Sequence, residues 1–140
     1  MSHTTVYNGI RDILEGLKLA EAKQVYDYEN ASENEFGRTF ILKALSGNID
    51  DDMSREMINK FHDSQIWLIQ VGFNREEMAD AGNRILMHAK KEAILAKIDN
   101  PDNWESFARM LIYTEWEVVE FENYVVLQIE LQILDTITHT

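Results

Sequence analysis

Hydrophobic positions along the 140-residue chain recur mostly three and four apart, the spacing that puts side chains on one face of a helix. The longest such stretch runs from Trp104 to Ile137, with neither Pro nor Gly inside it. It is long enough for one helix of about nine turns. One apolar row comprises Trp104, Phe107, Leu111, Val118, Val125, Ile129 and Ile133, and a second comprises Tyr113, Trp116, Tyr124, Leu127, Leu131 and Leu134. A helix apolar on most of its circumference sits at the centre of its domain. The pattern therefore predicts an all-α fold: a single-domain bundle over residues 1–140, of about five helices packed around a long C-terminal helix.

The other elements follow in order. Helix one spans Thr4 to Tyr28, capped by Thr4 or Thr5, with Val6, Ile10, Ile13 or Leu14, Leu17, Glu21, Val25 and Tyr28 on its stripe. Gly9 and Gly16 lie seven apart, close to one face, where another chain segment approaches closely or, more plainly, where glycine is simply tolerated. Ser32 and Glu35 form a capping box for helix two, which runs through Phe36, Phe40, Ile41, Ala44 and Leu45 and stops at Gly47. Helix three spans Asp51 to Val71, with Met53, Met57, Ile58, Phe61, Leu68 and Ile69 inward, and ends at Gly72. Helix four starts from the Asn74–Glu77 capping pair and reaches Ile98, with Met78, Ala81, Ile85, Ala89, Ala93 and Ala96 inward. Asn100 and Pro101 then open the C-terminal helix, Asn100 as its cap. Only Gln128 to Ile133 alternates as a strand would, and its continuity with the helical pattern decides for helix.

Charge changes this picture more than composition does. The net charge is −12, and it is unevenly placed. Residues 61–98 carry five acids and five bases, whereas residues 99–140 carry nine acids and one base, Arg109. Such a field disfavours direct nucleic-acid binding, which needs cations to displace phosphate counterions. It attracts basic proteins and speeds their encounter. There is no Cys, so thiolate chemistry and disulfides are excluded. No apolar run approaches a membrane span and the N-terminal residues lack a signal-peptide pattern, which predicts no membrane association and a cytoplasmic location.

Candidate chemistry is sparse. Asp50, Asp51 and Asp52 lack the alternation, central Gly and closing Glu of a calcium loop. The four His residues, at 3, 62, 88 and 139, accompany no nucleophile motif and no phosphate-cradling Gly-rich loop. Haem on His62 or His88 has only chain size behind it, and no cofactor is expected. A carboxylate–histidine metal site drawn from His62, His88, Glu92, Glu115 and Glu122 is conceivable inside a bundle. The Glu-x-x-His pairs of di-iron bundles are missing.

The reading with most behind it is a non-enzymatic acidic protein-binding domain. It inhibits or regulates a basic, nucleic-acid-handling protein by presenting charge that stands in for nucleic acid, as accessory proteins of phages and mobile elements do. Aromatic anchors ringed by one sign of charge suit such a surface. The residues expected to form it are Asp102, Glu105, Trp116, Glu117, Glu120, Phe121, Tyr124 and Asp135. A homodimer seam along the second apolar row competes for the same residues.

Overall fold

The computed structural model describes residues 3–22, 27–29, 38–50 and 60–138. Among the described residues, two helices cover one face of a five-stranded sheet, and the all-α bundle of five helices is overturned. Helix α1 is His3–Gly16, strand β1 Ala20–Glu21, β2 Thr39–Asp50, β3 Lys60–Asn74, helix α2 Ala81–Asp99, β4 Met110–Glu120 and β5 Tyr124–Thr138. The strand order is β1-β2-β3-β5-β4. Among the described residues, β1 is parallel to its neighbour, β2, and the other pairs are antiparallel.

The expected C-terminal helix is therefore the β4–β5 hairpin. Its turn at Phe121, Glu122 and Asn123 contains neither Gly nor Pro and is held from outside. Arg75 Nη1 donates to the Phe121 carbonyl at 3.0 Å, and the Arg75 N–H donates to the Asn123 carbonyl. Along β5 the side chains obey a two-residue period. Val125, Leu127, Ile129, Leu131 and Ile133 are buried under the helices, while Gln128, Glu130, Gln132 and Leu134 are half-buried on the other face. Residues four apart share a strand face as well as a helix face, so the pattern that suggested a helix was equally that of a strand.

The expected helices two and three are overturned in their described parts, which form β2 and β3. Ser32, Glu35, Phe36, Asp51, Asp52, Met53, Met57 and Ile58 lie outside the described residues. Gly47 and Gly72 stop no helix; both lie within strands. Gly72 sits directly beneath the Tyr28 ring, leaving no room for a Cβ, as glycine within a strand often does where another group comes close.

Helix α1 keeps its expected stripe, with Val6, Ile10 and Leu14 buried, but it ends at Gly16 rather than at Tyr28. Lys18 takes the left-handed conformation (φ 65°). The Leu19 N–H returns to the Leu14 carbonyl and the Lys18 N–H to that of Glu15, the paired bonds of a Schellman ending. Lys90 of α2 donates to the Leu17 carbonyl at 2.6 Å, placing a cation at the negative end of α1.

Helix α2 lies within the expected helix four but starts at Ala81 after Asp80, since Asn74 ends β3 and Glu77–Ala79 is a 3-10 turn, so the Asn74–Glu77 cap is overturned; its inward face differs too. Met87, Ile94 and Ile98 are buried, whereas Ile85 is 70 % exposed. Larger side chains bury more apolar area than alanines, and they set the rotation. Its end is the Asn100–Pro101 break, followed by a 3-10 turn, Pro101–Asn103, in which Asn100 Oδ1 accepts from the Asp102 N–H. Trp104 Nε1 and Asn103 Nδ2 donate to the last carbonyls of α2, at Ile98 and Lys97.

The two helix glycines behave differently. A Cβ on Gly9 would run into the Phe107 ring, itself held in the core, while one on Gly16 would meet nothing within 4 Å. Gly9→Ala is expected to destabilise by about 1–2 kcal/mol net of its gain in helix propensity. Gly16→Ala is expected to stabilise by about 0.5–1 kcal/mol. Urea titration of the two variants checks the opposite signs.

A second, smaller cluster closes one end of the helix-free face. Ala22, Tyr28, Ile41, Tyr124 and Val126 are buried together, with Phe121 packed against them. The Tyr28 and Tyr124 rings lie 5.5 Å apart, and the Tyr28 hydroxyl pairs with Thr39 Oγ1 at 2.9 Å. Burial pushes the Tyr28 hydroxyl up from 10.0 to about 12, against the opposing pull of the Thr39 hydrogen bond. A raised phenol favours the folded state fully below pH 10, and the contribution is lost as pH rises through about 12. Tyr28→Phe should therefore lose less stability than the native chain on going from pH 9.5 to pH 12, by about 2–3 kcal/mol, measured by denaturant titration at each pH.

Candidate functional site

Directly opposed residues of an antiparallel pair share a face, so the registers divide the sheet into two surfaces. The helix side carries Phe40, Leu42, Trp67, Ile69, Val71, Leu127, Ile129, Leu131 and Leu111 as core. The other side is crossed by rows that run from β2 through β3 and β5 to β4. One row is Ile41, Gln70, Gln128 and Glu117; the next is Lys43, Leu68, Glu130 and Glu115; the next is Ser46, Ile66, Gln132 and Ile112. Among the described residues, neither helix covers these rows.

Strands β2 and β4 are both irregular at one level of the sheet. The register shifts between Ala44 and Ser46 in β2 and between Tyr113 and Glu115 in β4, and Ala44 and Tyr113 face the paired residues Trp67 and Leu131. Bulges bend a strand and increase its twist. Beside this level, Leu45, Leu68, Glu115, Glu117, Gln128 and Glu130 line an open groove drawn from all four long strands. Its walls combine two leucines with three carboxylates. Gln70 of β3 is in register with Gln128 but is buried, only 5 % exposed, and its Oε1 accepts no hydrogen bond. A buried acceptor without a donor costs free energy until a donor arrives.

Strand β4 is the sheet's outer edge, with every residue from Ile112 to Val118 exposed. Its side chains alternate between Ile112, Glu115 and Glu117 on the helix-free side and Tyr113, Trp116 and Val118 on the helix side. Trp116 is 44 % exposed, with Lys91 Nζ 3.7 Å above its ring and His88 edge-on at 6.3 Å, a cation–π arrangement that fixes the indole. The helix-free side thus carries three carboxylates, Glu115, Glu117 and Glu130, with one base, Lys43, in the row of Leu68 and Glu130.

The residues expected at a partner surface separate accordingly. Glu117 lies on the helix-free face, and Trp116 and Glu120 fall in register with the helix-side residues Ile129 and Val125. Tyr124 is wholly buried and touches no solvent, and Phe121 is packed into the second cluster. Asp102 and Glu105 are exposed at the turn after α2. Asp135 lies on β5, in register with Asp63.

The five candidate metal ligands are not brought together. His88 and Glu92 are exposed on α2, Glu115 lies across the sheet from them, Glu122 is at the hairpin turn, and His62 is a β3 position. Among the described residues, no group of three or more His, Asp or Glu side chains is placed to hold a metal ion. Also among the described residues, no helix is long and apolar enough to cross a membrane.

Sequence reasoning singled out Glu115 only as a metal ligand and missed Leu45, Leu68 and Glu130 as groove residues. The alternation of Gln128, Glu130 and Gln132 with Ile129, Leu131 and Ile133 was the available signal. No protein-family profile matches this chain, and no curated protein matches it.

Proposed function

We propose that the chain is a non-enzymatic, cytoplasmic protein-binding module whose bare sheet face engages a basic protein partner and regulates it by covering a cationic surface. The observation that carries this reading is the placement of Glu115, Glu117 and Glu130 with Leu45 and Leu68 around one groove on a face that, among the described residues, neither helix covers. Mixed aliphatic and acidic walls suit lysine or arginine, whose apolar stems lie along leucine while the charged head meets carboxylate. A nucleic-acid-handling protein is the partner class that such charge fits, because its own cationic surface is built for phosphates.

The test is capture from the native host's lysate at low and at moderate salt. The native chain and its Glu115→Lys/Glu117→Lys variant are compared side by side. A basic protein retained by the native chain, released by salt and missed by the variant supports the reading. Equal retention by both, indifferent to salt, overturns it.

One observation favours a second reading, self-assembly. Among the described residues, the outer edge of β2 beyond Thr39 and Phe40, which pair with β1, has no neighbouring strand in the sheet, and neither does that of β4. Head-to-tail pairing of unlike edges generates rings or filaments. A discrete oligomer in sedimentation at micromolar concentration would favour it.

A further inference from the structure

A long exposed edge strand is a template for another strand. In β4 that edge is combined with side chains that sort by face. The carboxylates of Glu115 and Glu117 stand on the helix-free side, while Tyr113, Trp116 and Val118 stand on the helix side. A strand laid against β4 would extend both surfaces, its alternate side chains falling beside these two rows. The side chains on the helix-free side would meet Glu115 and Glu117 and reach toward the groove shared with Glu130, Leu45 and Leu68. Carboxylates call for a side chain that only donates and carries positive charge, and lysine and arginine are such side chains.

Charge also decides against a second copy paired through the same edge. An isologous β4–β4 contact would set an acidic edge against itself, in a chain whose net charge is already −12. Like charges on neighbouring strands repel.

We propose that β4 binds by strand addition: an extended segment of another protein, alternating basic and apolar residues, pairs with its outer edge and sends lysine or arginine into the Glu115–Glu117–Glu130 groove. This rests on the reading of the chain as a binder of basic proteins and adds its site, its geometry and the sequence pattern of the partner segment. Backbone pairing supplies affinity that any strand could gain, and the alternation supplies selectivity.

The probe is a synthetic eight-residue peptide of alternating arginine and valine, blocked at both ends. Its binding to the full chain is measured by calorimetry at low salt, with hydrogen exchange of the complex followed by mass spectrometry. The expected result is binding, slowed exchange in residues 110–120, and loss of both when alternate peptide nitrogens are methylated. Glu115→Gln/Glu117→Gln should weaken the complex about tenfold at unchanged melting temperature. A peptide alternating glutamate and valine should not bind. Unslowed exchange in residues 110–120, or indifference to N-methylation, with salt-sensitive binding persisting, overturns strand addition and leaves the basic-partner reading standing. Absence of any binding by the arginine peptide at millimolar concentration, together with a lysate capture that retains no basic protein, overturns both. A β4 edge already protected in the free chain by self-association overturns the proposed occupant in favour of a second copy.

Discussion

Trp67→Ala is expected to lower stability by about 3–5 kcal/mol, and the melting temperature by about 10–20 °C. Trp67 lies on the central strand β3, is 2 % exposed, and stands in the sheet row that joins Ala44, Leu131 and Tyr113. Both bulges occur at that level, so the indole fills the space where the sheet bends. The Tyr7 ring of α1 meets it at 6.2 Å between centroids, which ties the helix layer to the sheet. Its Nε1 donates to Gln65 Oε1 at 2.7 Å, in a buried position. Truncation therefore empties a cavity at the junction of three strands and a helix and removes a buried hydrogen bond. Trp67→Phe keeps most of the volume and should cost about 1–3 kcal/mol. Chemical denaturation of the two variants separates the cavity from the hydrogen bond.

The second large effect is on binding. Glu115→Lys/Glu117→Lys is expected to weaken the complex with a basic partner by about 10–100-fold at low salt. Each replacement changes the charge by two, so the pair takes the chain from −12 to −8, with the whole change beside one groove. Both positions are exposed on an edge strand, where substitution typically shifts stability by no more than about 0.5 kcal/mol. A melting temperature close to that of the native chain should accompany the lost affinity. Glu120 is the weaker choice for such a variant, because its register with Val125 puts it on the helix side. The effect should shrink as ionic strength rises, since exposed charges are screened over about 10 Å at 0.1 M salt. Surface binding or calorimetry at two salt concentrations provides the check.

Parts of the fold were legible from local pattern alone. The Val6–Ile10–Leu14 stripe identified α1, and Asn100–Pro101 marked the end of α2, because both depend on residues a few positions apart. The hairpin of β4 and β5 was not legible in the same way. Its turn lacks the Gly, Pro or Asn-Gly signals that announce hairpins and is held instead by Arg75, 46 residues before Phe121. The buried odd positions of β5 fit a helix row and a strand face equally, and nothing local separates the two. Gly72 resembled a helix stop because the ring that excludes a side chain there, Tyr28, is distant in sequence.

The candidate site shows the same division. The acidity of the last third was visible in composition, and Glu117 was singled out. Which acids stand together depended on strand register. Glu115 and Glu130 are 15 positions apart in sequence and paired across β4 and β5. Tyr124, expected at the surface, is sealed against Tyr28 by a segment that helical periodicity had continued as α1.

The central claim is that the helix-free face and outer edge of the sheet are where this chain meets its partner. Hydrogen exchange of the free chain and of its complex with the basic protein captured from the host tests it most directly. The account predicts slowed exchange concentrated in residues 110–120, reversed by raising salt, with α1 and α2 unchanged. Protection confined to α1 and α2, leaving β4 exchanging as in the free chain, would contradict it.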